Sequence, residues 1–218
     1  MRGSLFMPLI LSRRSVSCRV SSDRRSRGFS LVELLVVLVV VALLLGILLP
    51  VLAGARTSTQ RVTCSGNLRQ IGLVLRSYAI DFDEVYPQAR PIPEPFVALS
   101  TDQPLYDVLA GYIVSEPAPD TNPVYRCPSD ETVHPLSGIS YLYSPVVSGK
   151  TLNEVLNGPI LKLLNLTEAQ IEVASDFDGE EGGTDFALTD GSTVFVPKRH
   201  FKRNILFGDG HVDIVVPN

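Results

Sequence analysis

A membrane-length apolar segment directly after an arginine-rich leader is the feature that most constrains this 218-residue chain. The segment runs from about Phe29 to about Ala53, and Glu33 is its one charged residue. About 20 residues of α-helix rise roughly 30 Å, which matches the hydrocarbon core of a bilayer. The sequence therefore predicts a membrane-spanning helix near the amino terminus.

The leader is strongly basic, and this predicts the orientation of the helix. Lys and Arg residues next to an apolar segment stay in the cytoplasm during insertion. We therefore expect a cytoplasmic amino terminus and an exported carboxyl-terminal domain. The leader contains one acid, Asp23, and seven arginines: Arg2, Arg13, Arg14, Arg19, Arg24, Arg25 and Arg27.

Glu33 needs an explanation, because its carboxylate lies inside an apolar segment. A carboxylate deep in the bilayer costs about 2.5–3.5 kcal/mol on insertion scales. Such a residue usually has a partner or a function, so Glu33 is a candidate functional residue.

The six residues Gly28-Phe29-Ser30-Leu31-Val32-Glu33, followed by Leu- and Val-rich sequence, resemble the class III signal of type IV pilins and type II secretion pseudopilins. The resemblance implies that a prepilin peptidase cuts after Gly28, that Phe29 is then N-methylated, and that Glu33 pairs with the terminal amine of a neighbouring subunit. It implies a structural subunit of a periplasmic pseudopilus rather than an enzyme. Its partners would be other pseudopilin subunits, the inner-membrane assembly platform and membrane lipid.

Two other interpretations of the segment stay open. Ala53-Gly54-Ala55 is an acceptable signal-peptidase site, and an uncleaved anchor is also possible. The chain would then be a secreted or membrane-anchored periplasmic binding module for carbohydrate or calcium. The apolar run is longer than the usual signal-peptide core of about 7–15 residues, and Glu33 would interrupt it without reason.

The charge balance argues against a nucleic-acid partner. Removing the arginines and Asp23 of the leader from 19 basic and 23 acidic residues leaves 12 and 22, a net charge near −10. Nucleic-acid-binding domains are usually basic. An acidic exported domain fits these numbers better.

The three cysteines suggest a disulfide in the exported part. Cleavage after Gly28 removes Cys18 and leaves Cys64 and Cys127 in an oxidising compartment. A bond between them would stabilise the fold by about 4 kcal/mol in the chain-entropy model. The alternative is two separate buried thiols. Two cysteines cannot make a structural zinc site unaided.

Apolar positions continue at helical spacing beyond the membrane segment. Spacings of 3, 4, 3 and 4 residues predict one long helix from about Ser30 to Ile80, kinked or loosened near Gly46 and Pro50. The helix would be membrane or filament core first and the spine of a head domain afterwards. The residues that carry this pattern are Leu68, Ile71, Leu75, Tyr78 and Phe82.

After the helix the composition changes, since ten of the sixteen prolines lie between Pro87 and Pro135. Long helices are improbable there, although a short one at 105–112 fits. The fold class predicted is α+β: a long helix packed on a small antiparallel sheet, pilin-like by resemblance. The parts are the leader (1–28), the membrane or filament helix (29–55), the spine (56–86), a proline-rich region (87–138) and a β-region (139–218).

Several elements are expected within the β-region. Strands are predicted at 139–143, 171–174 and 193–197, and a final hairpin has arms at 204–207 and 211–216. The capping pattern Thr151-Leu-Asn-Glu154 predicts a helix over 152–164, interrupted at Gly158-Pro159.

Three carboxyl-terminal and central segments resemble one branch of the pseudopilin-like proteins, which ends in a histidine, nine residues and Asp-Gly. The segments are 64–72, 125–130 and the stretch from His200 to Asp209-Gly210. Here eight residues separate His200 from Asp209, so a role for His200 does not transfer by resemblance. Gly208-Asp209-Gly210 favours a tight turn over a metal or catalytic site.

An acidic, glycine-containing stretch is the candidate cation site. Calcium prefers several carboxylate oxygens on a bending loop. An exposed acidic loop without calcium is the favoured alternative, and the stretch lacks EF-hand spacing. The basic run 198–203 is interpreted as a solvated loop or a contact with acidic neighbours. The calcium candidates are Asp176, Asp178, Glu180, Glu181 and Asp185.

Overall fold

The computed structural model describes residues 29–92, 94–96, 100–113, 122–200 and 202–215. The chain divides into two compact units, residues 1–47 and residues 48–218. The described part of the first unit is helical from Leu31 onward. The second unit contains the sheets and the buried core.

Helix α1 spans Leu31–Asp81, which is 51 residues. The predicted helix from about Ser30 to Ile80 is therefore confirmed, and α1 remains helical through Gly46 and Pro50. Its amino-terminal part is apolar and unburied, and is long enough to cross a membrane by length and composition. This segment is compatible with a single-pass membrane anchor.

A four-stranded antiparallel sheet has the strand order β1-β2-β5-β6, and two further strands, β3 and β4, pair separately. The α+β fold class is confirmed, because a long amino-terminal helix accompanies a small antiparallel sheet as in pilin-like folds. Strand β3 was not predicted from the sequence. The strands are β1 Tyr141–Tyr143, β2 Glu172–Asp176, β3 Thr184–Ala187, β4 Thr193–Val196, β5 Arg203–Phe207 and β6 Val212–Val215.

Short helices fill the connections of the second unit. Helix α4, Leu152–Leu156, begins with the predicted capping box: Glu154 N donates to Thr151 Oγ1 at 3.1 Å, and Thr151 N donates to Glu154 Oε2 at 2.9 Å. The predicted interruption at Gly158-Pro159 separates α4 from α5. The helices are α2 Leu105–Val108, α3 His134–Ser137, α4 Leu152–Leu156 and α5 Pro159–Leu164, with 3-10 turns at Pro123–Tyr125 and Glu168–Gln170.

The main core joins one face of α1 to the larger sheet. Leu68, Ile71 and Leu75 are at most 1% exposed and belong to one buried cluster with Val173 and Leu206. Gly72 permits a close approach, since a Cβ at this position would lie 2.8 Å from Leu206 Cδ1. The helical spacing seen in the sequence is thus the packing face of the spine.

A smaller aromatic cluster lies around the second sheet. Phe177 packs edge-on against Phe96 and Phe186, with ring centroids 5.0 Å and 4.8 Å apart. Val133 and Val196 are buried in the same cluster. This packing fixes the chain just after β2, where the acidic residues of the sequence lie.

Candidate functional sites

Cys64 and Cys127 are joined by a disulfide, with an S–S distance of 2.07 Å. Cys64 lies in the packing face of α1, and both cysteines are at most 1% exposed. The bond closes a 63-residue separation. It ties the spine helix to the loop that precedes β1.

A group of charged and polar side chains is buried beside this disulfide. We refer to it as the buried polar cluster. Each member has a hydrogen bond or ion pair to another member, and their side chains come from β2, β5 and three loops. The members are Asp130, Asp176, Asp178, Arg199, His200 and Asn204.

Arg199 lies at the centre of the buried polar cluster, with its side chain 4% exposed. Its Nη1 lies 2.6 Å from Asp130 Oδ1, and its Nε donates to Asp178 Oδ1 at 2.9 Å. Asp130 also accepts hydrogen bonds from the backbone N–H groups of Val133 and His134 at the start of α3. The interpretation of 198–203 as a solvated loop is therefore wrong for Arg199.

His200 is buried and oriented by a carboxylate. Its Nδ1 lies 2.9 Å from Asp178 Oδ2, and its backbone N–H donates to the same oxygen at 3.1 Å. Its Nε2 faces Ser129 Oγ at 3.1 Å and Cys127 Sγ at 3.6 Å. His200 thus links the buried polar cluster to the disulfide.

The surroundings of the three carboxylates change their pKa values: two are lowered and one is raised. Burial raises the pKa of Asp178, but the hydrogen bond from His200 and the charge of Arg199 outweigh it, so the net pKa is lowered. Burial likewise opposes the Arg199 charge at Asp130, and the pKa of Asp130 is also lowered. Burial dominates at Asp176 and raises its pKa, despite the nearby His200 and two hydrogen bonds from Asn204.

The buried polar cluster is arranged for holding segments together. Breaking one member of a buried ion pair costs about 3–5 kcal/mol, because the partner charge is left uncompensated. The carboxylates therefore hold the loops at 127–130 and 199–200 next to the carboxyl-terminal end of β2.

The amino-terminal candidates begin at the start of α1. Ser30 N donates to Glu33 Oε2 at 3.0 Å, and Val32 N donates to Ser30 Oγ at 3.3 Å. The arrangement resembles a capping box, except that the Ser30 hydroxyl accepts from the second helical N–H rather than the third; two side chains satisfy free backbone donors of the first helical turn. Phe29 directly precedes it and is 74% exposed. Gly28 lies outside the described residues.

Residues 23–49 match the family model of the prokaryotic N-terminal methylation motif. Gly28, Phe29 and Glu33 all lie inside the matched stretch. The chain carries a type IV pilin-like amino-terminal signal. Such a signal marks processing by prepilin peptidase and assembly as a pilin-like subunit. No curated protein and no solved structure matches the chain significantly.

The structure separates the five calcium candidates. Asp176 and Asp178 point into the buried polar cluster, whereas Glu180, Glu181 and Asp185 are exposed. Within the described residues, these five carboxylates form no common group of ligand atoms. Calcium binding stays a prediction, without a preformed site in this part of the chain.

Asp209-Gly210 lies in the turn between β5 and β6. Gly210 has a φ of +90°, and Asp209 accepts a hydrogen bond from His211 N at 3.0 Å. The His211 ring stacks on Phe207, with centroids 4.6 Å apart. These contacts give the motif a local structural role in the hairpin.

Asp130, Arg199 and Asn204 are members of the buried polar cluster that were not predicted from the sequence. Asp130 is the last residue of the segment 125–130, which resembles one branch of the pseudopilin-like proteins. Arg199 lies in the basic run 198–203. An acid and a base in such segments give no local sign of burial, because the pairing depends on the tertiary fold. The capping box at Ser30 and Glu33 does have a local signal, the Ser-x-x-Glu spacing.

Proposed function

We propose that this protein is a pseudopilin: a structural, non-enzymatic subunit processed by prepilin peptidase and assembled into a periplasmic pseudopilus of a type II secretion-like system. The leader would be removed after Gly28 and the new terminal residue, Phe29, methylated. The apolar part of α1 would hold the subunit in the inner membrane before assembly. The carboxyl-terminal unit would lie in the periplasm and form the outer surface.

The observation that carries the proposal is the methylation-motif match at the start of a 51-residue helix. The matched stretch contains Gly28, Phe29 and Glu33 close together in the sequence, which supports cleavage after the glycine and a role for the carboxylate in assembly. A signal used only for secretion needs none of these at fixed positions. A subunit that polymerises through its amino-terminal helix needs all three.

The second unit offers an apolar surface that supports assembly. Val62, Leu73 and Ile80 on α1 are 67%, 64% and 74% exposed. They are 11 and 7 residues apart, and at 3.6 residues per turn these spacings place the three side chains within about 20° of one another around the helix axis. That face lies opposite the buried positions Leu68 and Ile71, so the head does not cover it. We call these three residues the outer stripe.

Glu33 has two candidate roles, which one pair of variants separates. Glu33→Gln keeps an oxygen that accepts the hydrogen bond from Ser30 N, because Gln also completes a capping box, but it removes the charge. Ser30→Ala removes the hydroxyl cap and leaves the charge. If Glu33 pairs with a terminal amine during assembly, the Gln variant is processed normally and fails to assemble.

The measurement is processing, read by intact mass, and assembly, read by cross-linking of subunits in membranes. We expect Glu33→Gln to reduce cross-linked multimers at least tenfold and Ser30→Ala to reduce them less than twofold. Normal assembly of the Gln variant together with defective assembly of Ser30→Ala would assign Glu33 to helix capping alone. That result contradicts the charge-pairing account.

A further inference from the structure

Three potential metal ligands converge beside the buried polar cluster. The Sγ atoms of Cys64 and Cys127 and the ring nitrogen of His200 lie within 4.8 Å of one another. All three side chains are buried, and no other such group of His, Cys or acidic ligand atoms occurs in the described parts of the chain. In the oxidised chain the sulfurs are bonded to each other, so they are not thiolates.

His200 already has the orientation of a metal-binding histidine. A carboxylate only accepts hydrogen bonds, so the 2.9 Å contact with Asp178 Oδ2 places a proton on His200 Nδ1. In the tautomer that carries its proton on Nδ1, the lone pair of Nε2 faces Cys127 Sγ, 3.6 Å away. Histidines that bind metals usually donate their other N–H to a carboxylate or carbonyl in this way.

We propose that the reduced form of this protein binds Zn²⁺ through the thiolates of Cys64 and Cys127 and the Nε2 of His200. Zinc ligands lie about 2.3 Å (sulfur) and 2.0–2.1 Å (nitrogen) from the metal, so a tetrahedral S–N edge is about 3.6 Å. The observed distance between Cys127 Sγ and His200 Nε2 already has this value. Only the sulfur of Cys64 has to move away from its partner.

His200 supplies the third ligand that two cysteines lack. A fourth position faces Ser129, whose Oγ lies 3.1 Å from both Cys127 Sγ and His200 Nε2. Two sulfurs and an imidazole suit Zn²⁺, whereas calcium and magnesium prefer oxygen ligands. Ser129 is partly buried and its neighbour Pro128 is exposed, so a single turn separates the ligands from solvent.

The redox step balances with a phosphine as reductant. The phosphine gives two electrons to the S–S bond and takes an oxygen atom from water, yielding a phosphine oxide and two thiols. Zn²⁺ then displaces the two thiol protons. The disulfide and the metal use the same sulfurs, so each form excludes the other.

The test uses the full chain in detergent micelles, reduced with a phosphine under nitrogen and titrated with Co²⁺ as a probe for Zn²⁺. We expect one Co²⁺ per chain, with a thiolate-to-cobalt charge-transfer band and the d–d bands of tetrahedral cobalt. Zn²⁺ should displace it, and the oxidised chain should show neither band. Absence of these bands in the reduced chain overturns the proposal, including the case in which the reduced chain has unfolded.

Histidine variants give a matched comparison. His200→Ala should weaken Co²⁺ binding at least tenfold, whereas His211→Ala, at an exposed turn, should leave it unchanged. Equal binding by both variants overturns the role of His200.

A second measurement needs no variant. Zn²⁺ should slow re-formation of the disulfide by oxidised glutathione at least tenfold in the wild-type chain, because metal-bound thiolates are protected. An unchanged rate contradicts the proposal even if His200→Ala fails to fold.

Discussion

At the scale of single residues, Asp178 is the most connected carboxylate of the second unit. It accepts hydrogen bonds from the Nε and backbone N–H of Arg199 and from the ring and backbone N–H of His200. These contacts lower its pKa although burial alone would raise it. Folding therefore favours the ionised form of Asp178.

The pH dependence of stability follows from that shift. A carboxylate whose pKa is lower in the folded state contributes stability above its unfolded pKa, and this contribution is lost as pH falls through the folded pKa. We expect the thermal unfolding midpoint of the head to fall as the pH is lowered below about 4, the ordinary pKa of an aspartate, as followed by the near-ultraviolet circular dichroism of tyrosines. Asp176 does not add to this loss, because its raised pKa favours protonation in the folded state.

Asp178→Asn is the corresponding variant. This substitution should lower the free energy of unfolding by about 3–5 kcal/mol near neutral pH, because Arg199 loses one of its two buried carboxylate partners. Its unfolding midpoint should then depend less on pH in the acid range than that of the wild type. An acid dependence as steep as that of the wild type would assign the effect to other groups.

At the scale of elements, α1 presents two opposite apolar faces in the second unit. The face of Leu68 and Ile71 is buried against the sheet, and the outer stripe of Val62, Leu73 and Ile80 is exposed. Single exposed apolar residues are common on protein surfaces, so exposure alone does not make the outer stripe an interface. The proposed assembly gives it a partner, the neighbouring subunits.

Leu73→Gln tests the outer stripe. Leu73 is 64% exposed, so the change should alter the free energy of unfolding by less than about 0.5 kcal/mol. Cross-linked multimers should fall several-fold, because a polar amide replaces an apolar contact. Leu163→Gln on α5, where the leucine is 84% exposed, is the matched control and should assemble normally. Equal assembly of both variants would remove the outer stripe from the interface.

The elements also show what the sequence can and cannot predict. Helix α1 and the β5–β6 hairpin were predictable, because apolar spacing and an Asp-Gly turn are local signals. Strand β3 was missed because its residues alternate between exposed and half-buried positions next to an acidic, glycine-containing loop. The pairing of Ser129 with His200, 71 residues apart, had no local signal at all. The burial of Arg199 and Asp178 was missed for the same reason.

At the scale of the whole molecule, the Cys64–Cys127 disulfide links two segments of the second unit that are 63 residues apart in the sequence. Closing a separation of 63 residues should stabilise the second unit by about 4 kcal/mol in the chain-entropy model. The double variant Cys64→Ala/Cys127→Ala should therefore lose about this free energy of unfolding, as measured by urea denaturation of the full chain in micelles. Each single variant, Cys64→Ala or Cys127→Ala, should lose at least as much free energy of unfolding. A double variant as stable as the wild type would show that the bond is not a stabilising constraint.

If the chain is processed as a pilin-like subunit, the amino-terminal residue of the mature protein is the one that follows the cleavage glycine. Protein is purified from membranes and analysed by intact mass and amino-terminal sequencing, alongside a Gly28→Leu variant in which the residue before the cleavage point is changed. We expect N-methylated Phe29 as the first residue of the wild type and an uncleaved leader in the variant. Wild-type protein that begins at Met1, or at Arg56 after an ordinary signal-peptidase cut, would contradict it.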